Sequence, residues 1–216
     1  MRIAVLGTSA VGRAIAGRTA EVGHAVTMGT RDPAATCARD EFAAWYAGHS
    51  NIPLSTFADA AKDADLVVNA TGGDGSLAAL TAAGDLGGKV VLDISNPLDH
   101  ASGFPPDLFV ANTDSLGEQI QRAFPDARVV KALNTMNNAV MVRPRDLAGG
   151  DHTVFVCGDD ESAKATATGL LKEFGHRDVF DLGDITAARG AEMYVVLWIR
   201  MAMALGSSAF NIKVVR

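Results

Sequence analysis

The chain has 216 residues, of which 48% are hydrophobic, and its 25 acidic and 19 basic side chains give a net charge of −6 at pH 7. This length predicts one main core, and the acidic balance favours a small-molecule partner over a nucleic-acid or membrane surface. The two cysteines, Cys37 and Cys157, are far apart and lack metal-binding spacing, which predicts a protein of the reducing cytoplasm.

Strands and helices are predicted to alternate over the first two thirds of the chain. Short apolar runs predict strands at residues 3–6, 25–28, 66–70, 90–94 and 129–133. Segments with helical spacing predict helices at 10–22, 33–48, 78–83 and 114–124. This alternation is typical of a parallel sheet with helices on both faces, so we expect a Rossmann-like α/β fold.

The pattern changes after residue 148. It predicts strands at 153–157 and 178–182, a helix at 161–174 and a last helix at about 185–205. We therefore expect a Rossmann domain over residues 1–148, with a small C-terminal α/β portion over 149–216 packed directly on it. The last helix is interrupted by Arg200 and is too short to span a membrane. Its apolar residues fall on more than one face, which predicts that it forms part of a homodimer interface.

The turn after the first predicted strand has the spacing of a phosphate-binding loop. Residues 7–12 read G-x-S-x-x-G, where a dinucleotide-binding turn has G-x-G-x-x-G. Gly7 supplies the tight bend and Gly12 the close contact between helix and strand, while Ser9 adds a hydroxyl at the second position. A structural glycine pair would have the same spacing, but the place of this turn between the first strand and helix favours nucleotide binding. We expect Ser9 to modify the site without destroying it.

The end of the second predicted strand indicates which dinucleotide binds. Thr30 and Arg31 follow that strand and offer a hydroxyl and a guanidinium to a 2′-phosphate, so NADP is favoured over NAD. Asp32 leaves an alternative open, because an acid at this place can turn toward a ribose hydroxyl. It can also cap a helix that begins at Pro33 while Arg31 stays in solvent.

Three further loops are predicted at the carboxyl ends of strands, where open α/β sheets bind ligands. They cover residues 71–73, 95–97 and 134–136, and each also has an interpretation as an ordinary turn. We expect Thr71, Asn96 and residues 134–136 to converge on one cleft. No catalytic acid–base pair and no metal-ligand set is predicted, since the five histidines are scattered and Asp159–Glu161 precede a helix as caps.

Five segments together carry a resemblance to a known family. They read GTSAVGRAIA and GHAVTMGTRDP near the start, KALNTM at 131–136, VFVCGDDESAK at 154–164 and DVFDLGDITAARGAE at 178–192. The chain resembles the NADPH-dependent coenzyme F420 reductases and is similar to the cytosolic reductase domain of the vertebrate six-transmembrane metalloreductases. The likeness follows the chain in order over nearly its whole length, and the last three segments are fairly specific to the family.

The resemblance implies an activity and a set of contacts. In that family a hydride passes directly between the nicotinamide of NADP and a deazaflavin, so the same reaction with NADP(H) and F420 is implied here. Implied contacts are Thr8, Ser9, Ala10 and Val11 for the pyrophosphate, Thr30 and Arg31 for the 2′-phosphate, and Ala70, Thr71, Asn134, Thr135 and Met136 for the ribose and nicotinamide. Reduction of a free flavin or a ferric chelate, and a non-catalytic NADPH sensor, remain open alternatives.

Overall fold

A computed structural model of the chain describes residues 1–101 and 103–216. Eight of its ten strands form one sheet, in the order β10-β9-β8-β5-β4-β1-β2-β3, and β6 and β7 form a separate antiparallel pair. The strands are β1 (Arg2–Leu6), β2 (Ala25–Thr30), β3 (Leu54–Thr56), β4 (Leu66–Asn69), β5 (Val90–Asp93), β6 (Leu98–Asp99), β7 (Asp107–Leu108), β8 (Arg128–Ala132), β9 (Thr153–Cys157) and β10 (Asp178–Asp181).

Helices cover both faces of the sheet, as the sequence predicts. They are α1 (Ala10–Glu21), α2 (Pro33–Cys37), α3 (Asp40–Tyr46), α4 (Phe57–Lys62), α5 (Ser76–Ala82), α6 (Leu116–Ala123), α7 (Asn138–Val142), α8 (Glu161–Phe174) and α9 (Ala188–Leu205). Alternate residues of β1 point to opposite faces, so Ile3 and Val5 pack under α1 while Ala4 and Leu6 pack under α4. The predicted Rossmann-like α/β fold is confirmed.

Six of the sheet strands run parallel, and β9 and β10 run the other way. Strand β9 pairs antiparallel with β8, with Lys131 opposite Cys157 and Ala132 opposite Val156. The carboxyl ends of β1, β2, β4, β5 and β8 therefore share one edge of the sheet, and β9 and β10 end at the other edge.

The predicted continuous helix at 33–48 is wrong. The chain forms α2 and α3 instead, separated at Arg39, whose backbone is extended (φ −81°, ψ 122°). Asp40 and Glu41 then occupy the first turn of α3, where acidic side chains favour a new helix N-terminus. The sequence analysis also missed β3, α4, α7 and the β6–β7 pair, because elements of two to six residues carry too little periodicity.

The expected boundary near residue 148 falls in a 3-10 turn over Ala148–Gly150, between α7 and β9. Residues on both sides of it contribute to one sheet and to one hydrophobic core, which contains Val130 and Met141 as well as Val154 and Leu170. The division into two domains stays a prediction. Within the described residues, none of the helices is both long and apolar enough to cross a lipid bilayer.

Candidate functional site

The turn between β1 and α1 requires glycine at two positions. Gly7 has φ +115°, and a Cβ on it would lie 2.4 Å from the carbonyl oxygen of Ala70. A Cβ on Gly12 would lie 2.1 Å from the carbonyl oxygen of Gly7. These approaches are far shorter than a van der Waals contact, so no larger residue fits at either position.

Ser9 occupies the N-cap position of α1, with an extended backbone (φ −68°, ψ 178°). Its side chain is exposed and makes no capping hydrogen bond, so the hydroxyl is free to donate to a ligand. The N-terminus of α1 adds unpaired N–H groups and the positive end of the helix dipole. The serine therefore adds a donor to an anion-binding turn whose two required glycines are in place.

The end of β2 distinguishes the two interpretations of Asp32. Its carboxylate accepts a hydrogen bond from the N–H of Ala35 at 2.9 Å and so caps α2. The hydroxyls of Thr30 and Thr36 hydrogen bond to each other at 2.9 Å beside it, and Arg31 is exposed at the rim of the adjoining cavity. Asp32 thus caps its own helix while also bordering the cavity, and Arg31 is a positively charged side chain at the same end.

Arg39, which the sequence analysis did not select, also reaches this cavity. Its guanidinium donates to the hydroxyl of Thr8 at 2.5 Å and lies on the cavity wall. Its reach depends on the break between α2 and α3, which the sequence analysis missed. A basic residue beside a pair of acidic residues was the only signal in the sequence.

Two adjoining cavities form a cleft along the carboxyl edge of the sheet. One, of about 640 Å³, extends from Arg31 and Arg39 past the turn at Gly7. The other, of about 450 Å³, extends from Ser9 to α9, and the two share a wall that includes Ala70 and Thr71. The cleft wall contains every predicted contact residue except Ala10, Gly12 and Thr135, which are chain neighbours of lining residues: Gly7, Thr8, Ser9, Val11, Thr30, Arg31, Ala70, Thr71, Asn96, Asn134 and Met136.

The end of the cleft nearest α9 is largely apolar. Val195, Trp198 and Ile199 of α9 face Met136 and Met141 across it. A third cavity of about 600 Å³ adjoins the second at Gly73, Asp74, Leu98 and His100 and is bordered by β6.

The strand-end loops hold one another through close backbone and amide contacts. A Cβ on Gly73 would lie 2.0 Å from the carbonyl oxygen of Asn96, so this position also requires glycine. The Asn96 amide donates to the carbonyl of Asn134 at 2.9 Å and accepts from the Asn134 amide at 3.0 Å. The Asn134 amide also donates to the carbonyl of Ala191 on α9 at 3.0 Å. Both asparagine side chains therefore act within the protein, and they set the position of the loops.

A fully buried charged cluster lies beneath these loops. The ammonium of Lys131 contacts Asp93 Oδ2 and Glu192 Oε1, each at 2.7 Å, and donates to the carbonyl of Ser95 at 2.7 Å. Burial by itself lowers the pKa of Lys131, but the attraction of the two carboxylates outweighs burial and raises that pKa, so the ammonium stays charged. The sequence analysis treated Lys131 only as part of a strand. A lysine inside an otherwise apolar run was the signal that it must be paired.

The glycine-dependent turn, the strand-end loops and the cleft between them define a dinucleotide-binding protein of the Rossmann type. The family model described as NADP oxidoreductase, coenzyme F420-dependent, matches residues 2–97. The solved structure of a candidate F420-dependent NADP reductase from Arthrobacter sp. FB24 is 59% identical, covers 100% of both chains and has a TM-score of 0.98. The chain belongs to the F420-dependent NADP reductase family and is an NADP-dependent oxidoreductase, as the resemblance in the sequence predicts.

Two curated relatives are more distant. The F420-dependent NADP reductase of Methanocaldococcus jannaschii is 28% identical over 159 residues, which are 72% of this chain and 70% of that protein. Metalloreductase STEAP3 of Rattus norvegicus is 27% identical over 192 residues, or 88% of this chain. The aligned part is 36% of that metalloreductase, so the chain spans about a third of its length.

Proposed function

We propose that the protein transfers a hydride directly between NADPH and a flat redox acceptor, with the deazaflavin coenzyme F420 as the first candidate acceptor. The observation that carries the proposal is the course of the cleft. It begins at two arginines, passes the glycine-dependent turn and ends at an apolar wall on α9. The 2′-phosphate, the pyrophosphate and the nicotinamide of one NADP molecule follow one another in this order.

The residues along the cleft fit NADP(H). Thr30, Arg31 and Arg39 offer a hydroxyl and two guanidinium groups to the 2′-phosphate. The Ser9 hydroxyl and the first N–H groups of α1 suit the pyrophosphate, which needs donors and a positive dipole end. Thr71 is fixed at the nicotinamide end because its hydroxyl donates to the Asn69 side chain at 2.6 Å.

The protein contributes position and exclusion of water. Bound NADPH supplies the hydride, and a proton from water completes reduction of the acceptor. Met136 and Val195 line the end of the cleft where two rings would meet and keep water out of the contact between them. Holding two reactants in a reactive arrangement supplies about 7–11 kcal/mol of the barrier, so no general acid or base is assigned.

The names of two relatives support F420 as acceptor, and the match to a metalloreductase adds a ferric chelate to the acceptors worth testing. NADPH oxidation is measured in parallel with F420, FMN and a ferric chelate. With NADPH deuterated on each face of C4 in turn, label from one face only should appear on a ring carbon of reduced F420, and the rate should be nearly flat from about pH 6 to 8. Label lost to water would contradict direct transfer. If none of the three acceptors is reduced, the alternative of a non-catalytic NADPH sensor remains.

We also propose a homodimer built partly on α9. One face of the helix is buried through Ala191, Val195 and Ile199, while Leu197 and Leu205 on its outer surface are 56% and 62% exposed. An apolar outer face of this kind is typical of an isologous interface.

A further inference from the structure

We infer that Lys131, bridging Asp93 and Glu192, is a positioning residue that ties α9 to the loops at the nicotinamide end of the cleft. The bridge thereby sets the spacing between the two reacting rings. This inference rests on the proposed function, since α9 is the wall against which the acceptor is proposed to bind. The residue acts through others, because none of its atoms borders the cleft.

The inner half of the network reaches a residue of the cleft wall. Asp93 Oδ1 accepts from the Asn69 amide at 2.8 Å and from the Ser95 hydroxyl at 2.7 Å. The other end of the Asn69 amide, Oδ1, accepts from the Thr71 hydroxyl at 2.6 Å. Two hydrogen bonds therefore join Asp93 on β5 to Thr71 at the end of β4.

The outer half of the network reaches α9. Lys131 contacts Glu192 at 2.7 Å, and Glu192 lies one turn before Val195 of the acceptor wall. The Glu192 carboxylate also accepts from the N–H groups of Leu116 and Gly117, at 2.8 and 2.9 Å. These N–H groups form the start of α6, so Glu192 is held from two sides and cannot follow a shift of its own helix freely.

The charges of the cluster explain why it holds a single arrangement. Two carboxylates and one ammonium leave one negative charge in the interior, and the positive end of α6 faces that charge through Leu116 and Gly117. An apolar cluster of the same volume can be equally stable but lacks directional partners. Buried charges with directional partners oppose a sliding of α9, because any shift leaves a charge without its partner.

The chain offers a matched control for this network. Glu118 of α6 is also buried and pairs with Arg189 of α9 at 2.6 Å, and it accepts from the Ser115 hydroxyl at 2.8 Å. It therefore joins the same two helices, but its bonds do not lead to a strand-end loop. Glu192→Gln and Glu118→Gln should both lower the melting temperature, and only the first should alter events in the cleft.

The test compares binding with hydride transfer. For Glu192→Gln we expect the Kd of NADPH to stay within about twofold and the single-turnover rate of hydride transfer to fall at least about tenfold, because a 1 Å misplacement costs about 100-fold. Glu118→Gln should change neither quantity. Equal losses of rate in the two variants, or an unchanged rate in Glu192→Gln, would overturn the inference.

Two further measurements extend the test: the first uses a second variant, and the second does not require turnover. Asn69→Ala breaks the link between Asp93 and Thr71 while leaving the three charges. In the double variant with Glu192→Gln, the two losses of hydride-transfer rate should not add. Full additivity of the two losses would count against the network. In a Trp45→Phe background without NADPH, emission from Trp198 should shift to the red in Glu192→Gln and not in Glu118→Gln. If no acceptor is reduced, the proposed function fails, and this emission still decides whether the network positions α9.

Discussion

The guanidinium of Arg39 donates a hydrogen bond to the hydroxyl of Thr8 at 2.5 Å, which joins the start of α3 to the phosphate-binding turn after β1. This contact brings a second arginine to the end of the cleft where Arg31 is exposed. The two side chains approach from different elements, so an anion between them would meet positive charge from two directions.

Arg31→Ala and Arg39→Ala should each weaken NADPH binding by about 1.5–3 kcal/mol, the range for a hydrogen bond to a charged group. NADH binding should change little, because NADH lacks the 2′-phosphate. Calorimetric titration with both cofactors measures the difference. Arg2→Ala is the control, since Arg2 pairs with Asp65 at the opposite edge of the sheet. Equal losses for NADH and NADPH would show that these arginines do not bind the 2′-phosphate.

Ser9→Gly should change NADPH affinity by less than about tenfold, or 1.4 kcal/mol, because the hydroxyl adds one donor to a turn that already has its required glycines. Ser9→Leu should abolish binding, since a branched side chain would occupy the space for the pyrophosphate. Fluorescence titration of NADPH measures both variants. Tight binding by the leucine variant would contradict the assignment of the turn.

The acceptor end of the cleft should repel anions. Its described lining carries the carboxylates of Asp74 and Asp99, and among these lining residues there is no lysine or arginine. With saturating NADPH and an anionic acceptor such as F420, kcat/KM should therefore rise with ionic strength, as salt screens the repulsion. Asp99→Asn should raise kcat/KM at low salt and flatten this dependence, while Asp85→Asn, outside the cleft, should not. A value that falls with salt would indicate attraction instead.

Stability should fall in mild acid because of His176. Burial lowers the pKa of this imidazole from 6.5 to about 4, and its Nε2–H donates to the carbonyl of Met141. Below about pH 6.5 the imidazole of His176 binds a proton in the unfolded chain but stays neutral in the folded protein. The free energy of unfolding should therefore decrease by about 3 kcal/mol between pH 6.5 and 4 and then level off.

His176→Gln keeps a donor for the carbonyl of Met141 but does not titrate, so it should remove most of this decrease. Urea unfolding at pH 7 and at pH 4.5 measures the change, with His100→Gln at an exposed position as control. The same acid sensitivity in the glutamine variant would assign the effect to other groups.

The outer face of α9 should mediate self-association. Leu197→Glu places a charge in the proposed homodimer interface and should yield a monomer at micromolar concentration by sedimentation, since an unpaired buried charge is costly. Leu182→Glu, at an exposed leucine outside α9, should leave the dimer intact. A wild-type monomer under the same conditions would refute the dimer.

The sequence predicted those parts of the site that depend on local chain geometry. Gly7 and Gly12 identify the turn because their spacing is required by contacts within one strand–turn–helix unit. The strand-end loops followed because apolar runs mark where strands stop. The contact of Arg39 with Thr8 and the pairing of Lys131 with Glu192 depend on elements brought together only by the fold, so no local pattern predicts them.

Because β9 and β10 run opposite to the other strands, α9 begins at the edge of the sheet away from the cleft. Both strands end at the sheet edge away from the cleft, where Asp159 accepts from the N–H of Ile185 at 2.9 Å just before α9 begins. The 18 residues of the helix then extend about 27 Å, at 1.5 Å per residue, from that edge to Trp198 and beyond. Because Glu192 is held from two sides, an inserted or deleted residue at 182–184 should be absorbed in that loop without turning Trp198 about the helix axis. The helix thus begins at a loop that touches neither proposed reactant and reaches the proposed acceptor wall from the far side of the sheet.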